Sequence, residues 1–318
     1  MLRDFSLTGI PTIDTYSYVG RPSRLMLGST SVYTASMLGK LGADVYYSGV
    51  SGDDMEDHLY DALRASGVKI ELIPRPGPMG RLWLDFDEDE SFYRFGRFDG
   101  IGEEFSVSEL PPTFWDAKAF WVGTCTPPFM LDIGERARAL GREFYVNPQQ
   151  QFKDNAALLF SLLPGLTGVY INLRELLEMR LGGAAEAIDD ILSRKPGLRL
   201  SITRGPRGTW MIEAGRFYRI PGFSKPETSF MIGAGDTYAA TYTYRRMLGY
   251  PVAECMQWSV TAATLKLRGF SYSGQPSEME LAAWLAEIRP HLPVEQVRWG
   301  GAEAEAWFRA EADIVEKR

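Results

Sequence analysis

The chain has 318 residues, of which 45% are hydrophobic and 24% charged, and its formal net charge is −7. That length and apolar content suit one large α/β domain, with or without an appendage, or two domains, and exclude a disordered chain. The acidic balance excludes a broad basic face for nucleic acid, so any anion-binding site must be local.

Taken in chain order, Phe5 to Ile10 alternates and ends in turn residues, which predicts a strand. Ser31 to Leu41 has helical composition with Gly42 behind it, and Val45 to Val50 predicts a second strand. Met55 to Ala65 predicts a helix with Gly67 just past its end, where a left-handed residue is wanted. This β–α–β–α order points to a parallel sheet covered by helices. Gly80 to Phe86 and Glu90 to Phe95 then read as a hairpin joined by Asp87-Glu88-Asp89. It carries Leu82, Leu84 and Phe86 on one face and Trp83, Tyr93 and Phe95 on the other. A two-stranded ribbon is weak alone, so it is expected to join other strands and to cover a site, a dimer surface, or both.

Alternation resumes with a strand at Ala119 to Gly123 and a helix ending at Leu140, before Gly141. Further strands are predicted at Glu143 to Asn147, Gly168 to Asn172 and Arg199 to Thr203. Gly208 to Ile212 and Arg216 to Ile220 form a second hairpin around Ala214-Gly215. Helices are predicted at Asp236 to Met247, Val252 to Leu267 and Glu278 to Ile288, and Pro221 to Glu227 has a weak linker character.

Cys125 and Cys255 lie far apart in no CxxC pattern, which favours a reducing cytoplasm and a role as small apolar filler. The N-terminal residues lack the pattern of a signal peptide. The apolar stretch from Ala156 to Tyr170 is broken by Pro164 and Gly165, so no membrane partner is expected. His58 and His291 sit in no metal spacing and beside no evident nucleophile.

The segment richest in chemistry is Phe230-Met231-Ile232-Gly233-Ala234-Gly235-Asp236-Thr237. Small residues let backbone N–H groups approach an anion, and the helix start that follows adds roughly half a positive charge. Gly233, Ala234 and Gly235 are therefore candidates for an anion hole. Asp236 beside them is expected to be held ionised by the helix end, as a base for an attacking hydroxyl. The competing local reading makes Asp236 a helix cap and the glycines a turn. The run is neither a dinucleotide fingerprint nor a GxxxxGK[ST] loop.

Gly-Ala-Gly-Asp followed by an Ala/Thr-rich helix resembles the C-terminal signature of the ribokinase-like, or PfkB, carbohydrate and nucleoside kinases. Other segments fall in that family's order. Gly9 to Asp14 resembles its first-strand motif, and Leu41-Gly42-Ala43 with Gly49 to Asp54 its LGA…GxxGDD segment. Asn172 to Glu175 resembles NxxE, Thr203 to Gly208 the TxGxxG nucleotide loop, and Ala262 to Lys266 a small-residue helix beside the adenine. The resemblance implies a single ribokinase-like domain over residues 1–318, with a Rossmann-type three-layer α/β/α core. A small β-sheet lid of strands near 14–27 and 79–98 is inserted in it.

By the same resemblance Asp236 is the catalytic base and Asp14, Gly28 and Tyr33 meet the substrate. Thr203, Gly205, Gly208 and Ala263 hold ATP, and Asn172 and Glu175 hold Mg²⁺ through water. Asn172 and Glu175 also read locally as a capping box. A monovalent cation ordering the anion hole and a homodimer through the lid are further expectations. So is a sugar or nucleoside as the acceptor. An inactive relative that only binds ligand stays open as a rival, because several motifs depart from the pattern. Phe230-Met231-Ile232 stands where the family has Asp-Thr-Thr, and Tyr33 falls near an expected asparagine. Asn147-Pro148-Gln149-Gln150-Gln151 lacks the charges of Asp-Pro-Asn-x-Arg. Tyr33 and Met231 are expected to favour a less polar ligand or one with a flat face. Arg94 and Arg97 read as a solvated face that could reach a substrate phosphate, and Asp53 as a loop-shaping residue.

Overall fold

Strands made of near-continuous apolar runs need cover on both faces, and helices between them supply it. The computed structural model describes residues 2–18, 23–86, 92–223, 230–304 and 306–307. The first half holds β1 (Arg3–Thr8), β2 (Thr12–Tyr18), β3 (Arg24–Gly28), α1 (Thr30–Lys40), β4 (Val45–Ser51), α2 (Asp61–Ala65), β5 (Lys69–Pro74), β6 (Gly80–Phe86) and β7 (Phe92–Phe98). Then come β8 (Ala117–Val122), α3 (Pro127–Ala139), β9 (Glu143–Val146), α4 (Ala156–Leu162), β10 (Gly168–Asn172), α5 (Leu173–Glu178), α6 (Ala184–Arg194) and β11 (Arg199–Thr203). The last part holds β12 (Thr209–Glu213), β13 (Arg216–Ile220), α7 (Ala234–Met247), α8 (Val252–Lys266), α9 (Glu278–Ile288) and β14 (Glu295–Arg298).

A ten-stranded sheet runs β14-β13-β12-β11-β10-β9-β8-β1-β4-β5. Its strands from β11 to β5 pair in parallel, and β12, β13 and β14 add an antiparallel end. One apolar cluster joins the sheet to α1, α7 and α8 through Val32, Tyr238, Ala239 and Met256. The other joins it to α3, α4, α5 and α6 through Ile133, Leu159, Leu176 and Ile188. The core is therefore the expected three-layer α/β/α arrangement. Trp121 lies at its middle, fully buried, stacked on Tyr145 and Tyr170 with ring centroids 5.4 and 5.3 Å away.

A smaller four-stranded sheet, β3-β2-β6-β7, stands apart from the core sheet. The ribbon thus joins two more strands, with β2 pairing β6 in parallel. Register puts Thr12, Asp14 and Tyr16 on one face with Leu82, Leu84 and Phe86, and Leu25 and Trp83 on the other. Leu84 and Phe86 are buried while Leu25 and Trp83 are exposed. The turn 87–91 and the side chains of Tyr93, Arg94 and Phe95 lie outside the described residues, as do residues 224–227 of the linker-like stretch.

Two local expectations change. The helix expected from Met55 is an α-turn over Asp61–Ala65 preceded by a 3₁₀ turn, Asp57–Tyr60. Asp53 and Asp54 accept hydrogen bonds from the N–H groups of Gly77 and Met79, at 2.8 and 2.7 Å, which pins the preceding residues as loop. β14 was not foreseen because Glu295–Arg298 is mostly exposed and carries no apolar alternation. Cys125 and Cys255 are both buried and free, as packing residues should be. Among the described residues no helix is long and apolar enough to cross a membrane.

Trp121→Ala is expected to lower stability by about 3–5 kcal/mol, read from urea unfolding. A loss near zero would show that the stacked tier is not part of the core.

Candidate functional site

In a parallel sheet the crevice lies beyond the carboxyl ends of the strands, where the strand order reverses. Here β1 is flanked by β4 and β8, and that reversal opens a cleft of about 820 Å³. Ile10, Thr124, Asn147, Asn172 and Thr203, which line it, follow or end β1, β8, β9, β10 and β11. The smaller sheet supplies the opposite wall with Thr12, Asp14, Tyr16, Leu82 and Leu84. The start of α7 closes the floor with Gly233, Gly235 and Asp236.

Gly233 caps α7 in the left-handed region at φ 82. A Cβ there would lie 2.0 Å from the ring of Tyr33, so only glycine allows both the turn and the ring. Thr237 locks the first turn, its N–H and hydroxyl both donating to the Gly233 carbonyl, at 2.9 and 2.7 Å. Ala234 donates its N–H to the Met231 carbonyl at 3.2 Å and does not line the cleft. The expected anion hole is thus corrected: the Ala234 amide closes the turn. The free donors are first-turn amides without an intrahelical acceptor, beginning at Gly235. A Cβ on Gly235 would meet no protein atom, so that position faces open space.

Asp236 is the third residue of α7, not its cap, and is 7% exposed. Its Oδ1 accepts a 2.6 Å hydrogen bond from Asn147 Nδ2. Burial, and then the Glu175 carboxylate, push its pKa up to about 7, against the pull of Lys266 and Asn147. Loss of water thus works against the ionised form that the helix end favours. Glu175 is also raised to about 7, by burial first.

Asn172 and Glu175 form the capping box: Asn172 Oδ1 accepts from the Glu175 N–H at 2.8 Å, and Glu175 Oε2 from the Asn172 N–H at 2.9 Å. Both also line the cleft beside Asp236, so the cap points the pair at the site. Two coupled carboxylates and an amide oxygen suit a hard divalent cation such as Mg²⁺ that keeps part of its water shell.

On the opposite wall Asp14 is 2% exposed, accepting from Thr12 Oγ1 at 2.6 Å and from the Tyr16 hydroxyl at 2.9 Å. Burial raises its pKa to about 6, against those two hydrogen bonds. Gly28 lies beneath it: a Cβ there would fall 2.0 Å from the carboxylate. Tyr33 lines the cleft but is 2% exposed, its hydroxyl 3.3 Å from that of Tyr16 and 3.2 Å from Ser271 Oγ. Its ring is wedged against Gly233 and edge-on to Tyr272, so the expected flat stacking face is not presented. Arg97 and Arg81 reach the cleft while paired with Asp99 and Asp54.

Of the residues expected to hold nucleotide, Thr203 lines the cleft and Gly205, Gly208 and Ala263 do not. Gly208 serves the hairpin, where φ is 88 and a Cβ would strike the Ile220 carbonyl at 2.0 Å. Asn147, Thr12 and Tyr16 went unassigned in the sequence, although the position of Asn147 at a strand end was the available signal.

Residues 121–276, about half of the chain, match the model of the pfkB family carbohydrate kinases. The chain is 23% identical over 141 residues to 5-dehydro-2-deoxygluconokinase of Shouchella clausii, a match covering 42% of this chain and 43% of that protein's length. A solved structure described as a probable sugar kinase from Rhizobium etli superposes with TM-score 0.79 at 19% identity, over 91% of this chain and 100% of the other. Arabidopsis thaliana ribokinase complexed with ribose and ATP gives TM-score 0.75 at 16% identity, over 90% and 99%.

Gly28→Ala is expected to displace the Asp14 carboxylate and weaken binding of a hydroxylated ligand roughly tenfold or more. Calorimetry should show ADP affinity unchanged, and equal loss of both would place Gly28 in general folding instead.

Proposed function

This chain belongs to the ribokinase-like PfkB kinases, and from that premise we propose that it transfers the γ-phosphoryl group of ATP to a hydroxyl of a sugar. The observation that carries the proposal is Asp236, buried at the first turn of α7 beside open helix amides and lining one cleft with Asp14. A base, an electrostatic cradle and a positioning wall are what phosphoryl transfer asks of a protein.

Asp14, backed by Thr12 and Tyr16, accepts hydrogen bonds from acceptor hydroxyls and sets one of them against Asp236. The Asp236 carboxylate takes the hydroxyl proton as that oxygen bonds to the γ-phosphorus and the bond to ADP breaks. Developing charge on the phosphoryl oxygens is met by the Gly235 amide and the α7 N-terminus. Asn147 holds Oδ1 of Asp236 through the step, leaving Oδ2 for the acceptor. Asn172 and Glu175 would hold Mg²⁺ through water. Bound there, it supplies charge neutralisation for the phosphates and the coupled carboxylates. Thr203, at the end of β11, is assigned to the nucleotide side.

The smaller sheet acts as the lid, and its apolar residues Leu82 and Leu84 exclude water from the acceptor. Arg81 and Arg97 in the same wall favour an acceptor that also carries an acid group. A panel of sugars, sugar acids and nucleosides, scored by ADP release, tests the reading. Measurable ATP binding with no turnover on any acceptor would make the chain a ligand binder.

Asp236→Asn is expected to keep ATP binding and lose about 10²–10⁴ in kcat, and a fully active variant would refute the base. Gly235→Val should fold normally, since a Cβ there meets no protein atom within 4 Å, yet lose about 10²–10³ in kcat by filling the phosphoryl space. Because a base must be deprotonated, kcat/KM should fall about tenfold per pH unit below the Asp236 pKa of about 7. A flat profile from pH 5 to 8 would contradict the assignment.

A further inference from the structure

Lys266 ends α8 and is fully buried, an uncommon place for an ammonium group. Its Nζ donates to the Phe230 carbonyl at 2.6 Å and to the Gly269 carbonyl at 3.3 Å. Phe230 opens the tract that leads through Met231 and Ile232 into the Gly233 turn, and its own N–H donates to the Leu267 carbonyl at 2.9 Å. The approach to the anion hole is thus fastened on both sides of Phe230 to the loop after α8. That loop is itself tied to the site: Ser271 Oγ meets the Tyr33 hydroxyl, and Gln275 Nε2 donates to Thr237 Oγ1 and to the Tyr33 carbonyl, each at 2.9 Å.

A monovalent cation ordering the anion hole would need backbone carbonyls on the chain that enters it. Among the described residues of that chain, the Phe230 carbonyl is already held by an ammonium group, as is that of Gly269 across from it, and the Met231 carbonyl accepts from the Ala234 N–H. A second positive charge against the same oxygens would meet like-charge repulsion in a buried site. The apolar tract Phe230-Met231-Ile232 offers no side-chain oxygen in compensation. The residues present therefore do not fit a free monovalent cation at this place.

We propose that Lys266 is a built-in cation: its ammonium group holds the Phe230 and Gly269 carbonyls and so orders the anion hole without a monovalent metal ion. The proposal deepens the kinase reading and rests on it for its catalytic consequence. Lys266 is a positioning residue, since its partners are the loop carbonyls and its charge reaches the chemistry only through Asp236. The groups that bear on Asp236 are Glu175 from α5, Asn147 after β9, Lys266 from α8 and Tyr33 from α1, whose ring packs against the Gly233 turn. Burial lowers the Lys266 pKa, and the Asp236 carboxylate opposes that and favours the ammonium form. Each of the two buried groups favours the charged form of the other.

The test compares turnover, ADP affinity and melting temperature of the unaltered protein in potassium, sodium and tetramethylammonium chloride at equal ionic strength. All three are expected to agree, with kcat within about twofold. Activation by potassium of about tenfold or more over tetramethylammonium, far beyond a nonspecific salt effect, would overturn the proposal. If no acceptor turns over, the kinase reading has failed. The proposal then stands or falls on ADP affinity and melting, and a potassium-specific rise in melting temperature of about 5 °C or more would overturn it. Lys266→Met removes the charge and keeps much of the stem. It is expected to lower kcat about tenfold or more and to move the acid limb of kcat/KM to higher pH, because Asp236 loses the charge that favours its ionised form. Unchanged kcat and pH profile in that variant, with melting and circular dichroism confirming the fold, would equally overturn it.

Discussion

Everything at this site depends on keeping a carboxylate out of water at the first turn of α7. Burying Asp236 costs free energy, and that cost is what lifts it into the range where it can take and release a proton near neutrality. The helix end alone would have driven the group the other way. Asn147 and Lys266 offset enough of the burial for the ionised form to remain accessible, while Glu175 works against them. The site is therefore a balance of four elements that are distant in sequence, and the sheet is what brings them together.

The geometry of the turn obeys a second constraint, steric rather than electrostatic. Gly233 adopts a left-handed conformation and also gives room to the Tyr33 ring. Tyr33 in turn shares its hydroxyl with Tyr16, which donates to Asp14. A continuous line of contacts thus runs from the Gly233 turn to Asp14 on the smaller sheet. This explains why an aromatic residue is accommodated near an expected amide: Tyr33 spans the distance and supplies a buried hydroxyl in its place.

Substitutions that look damaging in the sequence acquire a different meaning in space. Phe230, Met231 and Ile232 replace polar residues, yet the backbone carbonyl of Phe230 still does polar work through Lys266. Asn147 stands where the resemblance has an acid, and it donates to Asp236. A polar network is retained with its partners exchanged, as buried hydrogen-bonding groups require.

The sequence by itself determined the alternation of strands and helices, since apolar periodicity and the glycines after helices are local signals. It also singled out the run 230–237 as the candidate site, because small residues ahead of a helix are a local signal. The bounds of β10, β11 and α9 could be read that way, as could the hairpin around Ala214 and Gly215. Only the tertiary structure decided that Ala234 spends its amide on Met231 and that the Tyr33 ring lies wedged beneath the turn. Tertiary packing likewise decided that burial raises the Asp236 pKa and that Lys266 reaches the carbonyls. Burial and hydrogen-bond partners depend on residues far apart in the chain, and no window of sequence contains them.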